Sequence, residues 1–90
     1  MSVLFLKDFF GKLRTNDLGA YKQLRDRIRV FAPLDSDIMS GYSRLSSDQI
    51  TKLHSAFLDY GVPAGVIFTR EDIEEAYKIF YADYVHSAPN

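Results

Sequence analysis

Hydrophobic residues recur along this chain at intervals of three and four residues, which is the repeat of an α-helix. Four segments carry the repeat: residues 3–14, 18–31, 47–60 and 70–85. No segment shows the sustained alternation that a half-buried strand requires. The pattern therefore predicts an all-α fold, a small single-domain bundle of three to four short helices over residues 1–90.

Capping residues mark the starts of three of these segments. Asp17 stands immediately before the second segment and can accept a hydrogen bond from its first turn. Ser46 with Gln49, and Thr69 with Asp72, have the spacing of capping boxes, in which each side chain binds the other residue's backbone N–H. We therefore expect well-defined helix starts near residues 18, 47 and 70.

The remaining segments are predicted to be irregular. Pro33 ends the second helix because the residue before a proline disfavours helical backbone angles. Residues 33–46 are rich in Asp, Ser, Gly and Pro, and we expect at most one short turn there, around residues 37–42. Residues 87–90 are predicted to be a frayed tail.

Aromatic residues share one side of the last helix. Tyr77, Phe80, Tyr81 and Tyr84 follow each other at intervals of three, one and three residues. The chain has seven Phe and six Tyr, and a domain of 90 residues has only a thin core to hide them. We therefore expect some of the rings to lie on the surface, while Phe80 and Ile73 face the core.

A docking patch is the first hypothesis for these surplus rings. Aromatic residues are enriched at protein interfaces, and the loop over residues 62–68 adds further hydrophobic side chains. Acidic residues of the last helix would rim the patch and favour a basic partner surface. The predicted partner-binding residues are Val66, Ile67, Phe68, Glu74, Tyr77, Tyr81 and Tyr84.

Residue usage argues against catalysis and against bound cofactors. The chain has no cysteine, and its two histidines, His54 and His86, have no partner at metal-ligand spacing. No Gly-rich phosphate loop, nucleophile motif or paired-carboxylate motif is present. The sequence predicts no enzyme, no cofactor and no metal site.

The second half of the chain resembles part of a known motif. Residues 45–57 look like the entering helix of an EF-hand, and residues 69–76 are similar to its exiting helix. Gly65 and Ile67 stand near the positions of the turn glycine and the central hydrophobic residue. The loop over residues 61–68 has no side-chain oxygen, whereas a calcium loop needs oxygen ligands at alternate positions. The resemblance therefore implies a helix–loop–helix packing unit without a calcium site.

Charge is distributed unevenly and suggests a second hypothesis. Residues 1–45 hold eight Lys/Arg against five Asp, and residues 46–90 hold three against seven Asp/Glu, so the two halves carry +3 and −4 and should attract each other. A nucleic-acid-associated regulatory factor would bind phosphates through the second helix. However, a pI near 6.0 is far from the basic values typical of such proteins, so a solvated face paired with the acidic last helix is the preferred explanation. The residues of this alternative are Lys22, Arg25, Arg27 and Arg29.

The first helix suggests a third hypothesis, that of a peripheral membrane-surface protein. Its apolar residues lie beside Lys7, Lys12 and Arg14, as in helices that lie in a bilayer interface, although a core role explains the same pattern. No apolar run approaches the roughly 20 residues of a membrane span. The first residues make a poor secretory signal, so a cytoplasmic location is expected, in the host cytoplasm if the protein is viral.

The leading expectation is a small non-catalytic protein-interaction module. Such modules resemble in composition the accessory proteins of phages and mobile elements, which inhibit or regulate a larger host complex by steric binding. A protein partner is favoured, and a homodimer is a second form of the same hypothesis. Nucleic acid is a less favoured partner, and a membrane is the least favoured.

Overall fold

The computed structural model describes residues 2–87, which form five helices and no strand. The predicted all-α fold class is confirmed, and the four long helices lie within two residues of their predicted bounds. One additional short helix lies inside residues 33–46, the stretch predicted to be irregular. The helices are α1 (Ser2–Asn16), α2 (Leu18–Phe31), α3 (Ser36–Met39), α4 (Ser47–Asp59) and α5 (Arg70–Ser87).

The two predictions about irregular segments have different outcomes. A single short turn is predicted around residues 37–42, and α3 forms there because the Asp35 carboxylate accepts the backbone N–H groups of Asp37 and Ile38. The frayed tail is predicted to begin at Ser87, which is instead the last residue of α5. Residues 88–90 of that predicted tail lie outside the described residues.

Each predicted cap forms. The Asp17 carboxylate accepts the backbone N–H of Ala20 at 3.0 Å and so begins α2. Ser46 and Gln49 bind each other's backbone N–H groups at 3.1 and 3.0 Å and begin α4. Thr69 and Asp72 do the same at the start of α5. These caps satisfy N–H groups that have no partner within the first helical turn.

Phe80 of α5 lies at the centre of the core. Its ring centroid is 5.3 Å from those of Tyr21 and Tyr81 and 5.4 Å from that of Phe10. The Phe57 ring of α4 lies 6.3 Å away. These separations are favourable for tilted and edge-to-face ring pairs. The core is therefore an aromatic cluster to which α1, α2, α4 and α5 each contribute.

The carbonyl groups of the last residue of α2 and of the two residues after it are bound by side chains of other helices. The Gln49 amide donates to the Phe31 carbonyl oxygen at 3.0 Å. The Tyr81 hydroxyl donates to the Ala32 carbonyl oxygen at 2.8 Å, and the Tyr77 hydroxyl donates to that of Pro33 at 2.9 Å. Because helix ends leave carbonyl groups without intrahelical partners, these bonds fix where α2 stops and how α5 faces it.

Ion pairs join the basic first half of the chain to the acidic second half, as the charge distribution predicts. Asp83 accepts a hydrogen bond from the Tyr21 hydroxyl at 2.9 Å and lies 3.5 Å from the Arg14 guanidinium. Arg27 pairs with Asp59 at 2.7 Å. The Arg27–Asp59 pair is exposed, and exposed pairs contribute little stability, so we regard it as aligning the helices.

Replacing Tyr81 by Ala should strongly destabilise the protein, because it opens a cavity and leaves the Ala32 carbonyl group without a partner. Removing a buried aromatic side chain costs about 3–5 kcal/mol, a large share of the about 5–15 kcal/mol that holds a small domain folded. Urea denaturation followed by circular dichroism measures the loss. Tyr42→Ala is the matched control, because the Tyr42 side chain is 85% exposed. Equal stability of the two variants would contradict the buried position of Tyr81.

Candidate interaction surface

Three of the predicted partner-binding residues are core residues, which contradicts the predicted patch. Ile67, Tyr77 and Tyr81 have no exposed surface. The two tyrosines turn inward because their hydroxyl groups reach carbonyl groups at the end of α2, so burial leaves no polar group unpaired. The loop after α4 also folds back, which buries Val62 with Ile67. As predicted, Phe80 and Ile73 face the core.

The other predicted patch residues do not form one surface. Phe68 is 80% exposed and Val66 is half-buried at the end of the loop before α5. Tyr84 is half-buried near the other end of α5, and at 1.5 Å per residue it lies about 21 Å along the axis from the start of that helix. There its ring packs against Tyr81 and beneath the Arg25 guanidinium, 5.6 Å from the ring centroid.

Glu74 is held by two arginines and does not rim a surface. Its carboxylate accepts two hydrogen bonds from the Arg44 guanidinium, at 2.8 and 3.1 Å, and lies 3.8 Å from Arg70. Arg70 also donates to the Leu45 carbonyl oxygen. The hydrogen bonds from Arg44 lower the pKa of Glu74 below its ordinary value. Glu74 thus ties the segment before α4 to the first turns of α5.

Two of the basic residues of α2 contact carboxylates. The Arg25 side chain lies against Tyr84 and 3.1 Å from the Asp26 carboxylate. Arg27 pairs with Asp59 of α4, and Arg27, Lys22 and Arg29 are all exposed. The predicted pairing of this stripe with the acidic last helix is therefore wrong in detail, since the carboxylates that Arg25 and Arg27 contact belong to α2 and α4.

A groove beside α1 was not predicted as a site. It has a volume of about 360 Å³ and lies where α1 approaches the end of α4. Its apolar walls are the side chains of Phe5, Phe9 and Leu13 from α1 and Tyr60 from the end of α4. The polar residues at its edges are Asp8, Lys12, Asn16 and Asp17.

Contacts among its own residues shape this groove. The Phe5 and Phe9 rings are stacked, with centroids 6.3 Å apart and planes at 19°. The Phe9 ring also covers Gly61, since a Cβ atom there would lie 3.6 Å from Phe9 Cζ. Gly61 has a φ angle of 103°, in the left-handed region that favours glycine, and this allows the chain to turn sharply after α4. Tyr60, immediately before this turn, lines the groove together with Phe9.

The width of the apolar stripe on α1 is the signal that the sequence offered for this groove. Apolar residues occupy positions 5, 6, 9, 10 and 13, and together they cover more of the helix than one core contact needs. Leu6 and Phe10 are fully buried, while Phe9 and Leu13 are half-buried and Phe5 is 42% exposed. The sequence favours a core role for this stripe over a bilayer interface, but periodicity does not show where the core is already full.

Two other features are absent from the part of the chain that the structure describes. No three His, Asp or Glu side chains there are grouped so that they could hold a metal ion. None of the helices in residues 2–87 has the length and apolarity that a membrane span requires. No protein-family model, curated protein or solved structure matches this chain.

Acid should destabilise the protein through Glu74 and Asp72. The carboxylate of Asp72 accepts backbone N–H groups of Thr69 and Phe68, which lower its pKa, and Arg44 lowers that of Glu74. Because both pKa values are lower in the folded than in the unfolded chain, their stabilising contribution is present at neutral pH and is lost as the pH falls below about 4.5, the ordinary value for Glu. The urea midpoint should therefore drop between pH 6 and pH 3.

Glu74→Gln should make this dependence on pH less steep, because the residue no longer titrates. Glu71→Gln is the control, since Glu71 is exposed on the same turn. An acid dependence that is the same in Glu74→Gln as in the unmodified protein would show that Arg44 does not hold this carboxylate in solution.

Proposed function

We propose that this chain is a small protein-interaction module that binds an apolar, helical segment of another polypeptide in the groove beside α1. The observation that carries the proposal is the concave apolar surface of Phe5, Phe9, Leu13 and Tyr60, bordered by charged side chains. Apolar surface exposed in this way is stabilised when a second surface covers it. Docking of an amphipathic helix into an apolar groove is a common mode of recognition.

Four of the eight other large hydrophobic residues that are exposed in the described part of the chain lie in separate elements of the fold. Val30, Tyr42, Phe68 and Val85 are each exposed, but they belong to different helices or loops. Single apolar side chains scattered over a surface are normal and require no partner. The groove differs because its four apolar side chains adjoin one another and form a concave shape.

Protein is a better match for the groove than the other ligand classes. Small-molecule sites combine an enclosed apolar volume of about 300–1,000 Å³ with several converging polar groups. This groove is at the lower end of that range, and Asp8 and Lys12 at its edge pair with each other. A bilayer would have to accept the Asp8 carboxylate beside Phe5, which is unfavourable at a membrane interface rich in anionic lipid.

Nucleic acid is a weaker candidate than protein because the residues that would bind it are not part of the groove. The basic residues that it would use lie on α2, away from the groove, and two of the four already contact carboxylates. A module that binds through the groove acts by occupying a surface of its partner. The sequence-based hypothesis, that the chain inhibits or regulates a larger host complex by steric binding, extends this proposal.

Site-specific photo-crosslinking tests the proposal directly. We would replace Phe5 by p-benzoylphenylalanine and irradiate the cells that naturally produce the chain. We expect the protein to be in the cytoplasm of these cells. We expect a discrete crosslinked protein, because an occupied groove brings the probe into contact with the bound segment. The same probe at Ser55, which is exposed on α4, is the matched control.

A crosslinking yield at position 5 no higher than at position 55 would contradict the proposal. Circular dichroism of both labelled proteins would verify that the helices are intact. Crosslinks formed with the groove then identify the occupant, whether it is a second copy of the chain or a different protein.

A further inference from the structure

One row of α1 side chains next to the groove carries both apolar and charged groups. Phe5, Asp8, Lys12 and Asn16 follow each other at intervals of three, four and four residues, so they lie along one face of the helix. The Lys12 ammonium is 3.0 Å from the Asp8 carboxylate, and their side chains are 70% and 61% exposed. The row is therefore charged at its middle and accessible along its length.

This row is complementary to itself when it is reversed. In an antiparallel pair of α1 helices with the two-fold axis level with residue 10, Asp8 of each copy faces Lys12 of the other. Phe5 of each copy then lies opposite the turn between Leu13 and Asn16, where the other groove ends. A two-fold contact requires this kind of match, because the same surface meets itself.

From this match we infer that the groove is occupied by α1 of a second copy of the chain, as an antiparallel two-fold dimer. The inference rests on the proposed function, because it names the partner of the same groove. An unrelated helix would need its own matching order of charges, whereas this chain already supplies both halves of the match. Antiparallel helices also place opposite ends of their dipoles together, which adds a small favourable interaction.

The dimer should be weak. A helix of 15 residues is about 22 Å long, so two such helices bury less than the roughly 800 Å² per partner of a standard interface. A contact of this size, with exposed ion pairs near its middle, is typical of transient association. We expect a dissociation constant in the micromolar range and weaker association at high salt.

Sedimentation equilibrium of the full chain, from about 1 to 500 μM at low salt, tests the inference through charge reversal. The unmodified protein should dimerise. Asp8→Lys and Lys12→Asp should each weaken self-association at least tenfold, because each places like charges opposite each other at two points near the middle of the contact. An equimolar mixture of the two variants should form a heterodimer, and the double variant Asp8→Lys/Lys12→Asp should dimerise again.

A matched control is available on α4. Lys52 forms the same type of pair with Asp48, at 3.1 Å and four residues apart, but it lies outside the groove. Lys52→Asp should therefore leave the dissociation constant unchanged. Circular dichroism would verify that every variant is folded, and Lys12→Ala provides a milder variant that removes the charge match without introducing repulsion.

Two results would overturn the inference: a monomer over the whole concentration range, or a dimer that Lys12→Asp weakens no more than Lys52→Asp does. In either case, crosslinking from position 5 to a different protein would leave the proposed function standing. Failure of both experiments would remove the groove as a binding site altogether.

Discussion

The arrangement of this protein depends on the hydrogen bonds that end α2. The carbonyl groups of Phe31, Ala32 and Pro33 are each bound by a side chain from α4 or α5. Because a buried carbonyl group without a partner is costly, the hydroxyl groups of Tyr77 and Tyr81 must point toward α2. That orientation turns the aromatic face of α5 into the core, where Phe80 and its neighbours pack closely.

A full core explains where the remaining apolar side chains lie. A chain of 90 residues encloses little volume, and six of its thirteen aromatic rings are buried. Leu6 and Phe10 supply the α1 contribution, so Phe5, Phe9 and Leu13 line a groove at its edge. The aromatic residues that the core does not hold thus leave an apolar surface on the first helix. The proposed docking surface is therefore on the first helix and not, as predicted from the sequence, on the last. The self-complementary charges of α1 are the reason that we propose a second copy as its partner.

Local signals in the sequence predict the helices well, because each cap involves residues three or four positions apart. The faces of the helices are harder to predict, since a core and an interface impose the same 3.6-residue repeat. Tyr81 illustrates the difficulty, because its acceptor is a carbonyl group 49 residues away in an aperiodic segment. Ile67 illustrates another, since a loop has no repeat to indicate which side chains turn inward. Phe68, in the same loop, is exposed as predicted.

Spectrophotometric titration of the tyrosines tests the central claim, that Tyr77 and Tyr81 of α5 are core groups. Burial raises the pKa of Tyr21, Tyr77 and Tyr81 above the ordinary value of 10.0, most strongly for Tyr21 and Tyr81. These hydroxyls keep their protons while the chain is folded, and their stabilising contribution is lost as the pH rises above the value of an unfolded tyrosine. We predict that part of the phenolate absorbance appears only together with the loss of helical ellipticity. Complete ionisation of all six tyrosines while the ellipticity stays native would contradict the account.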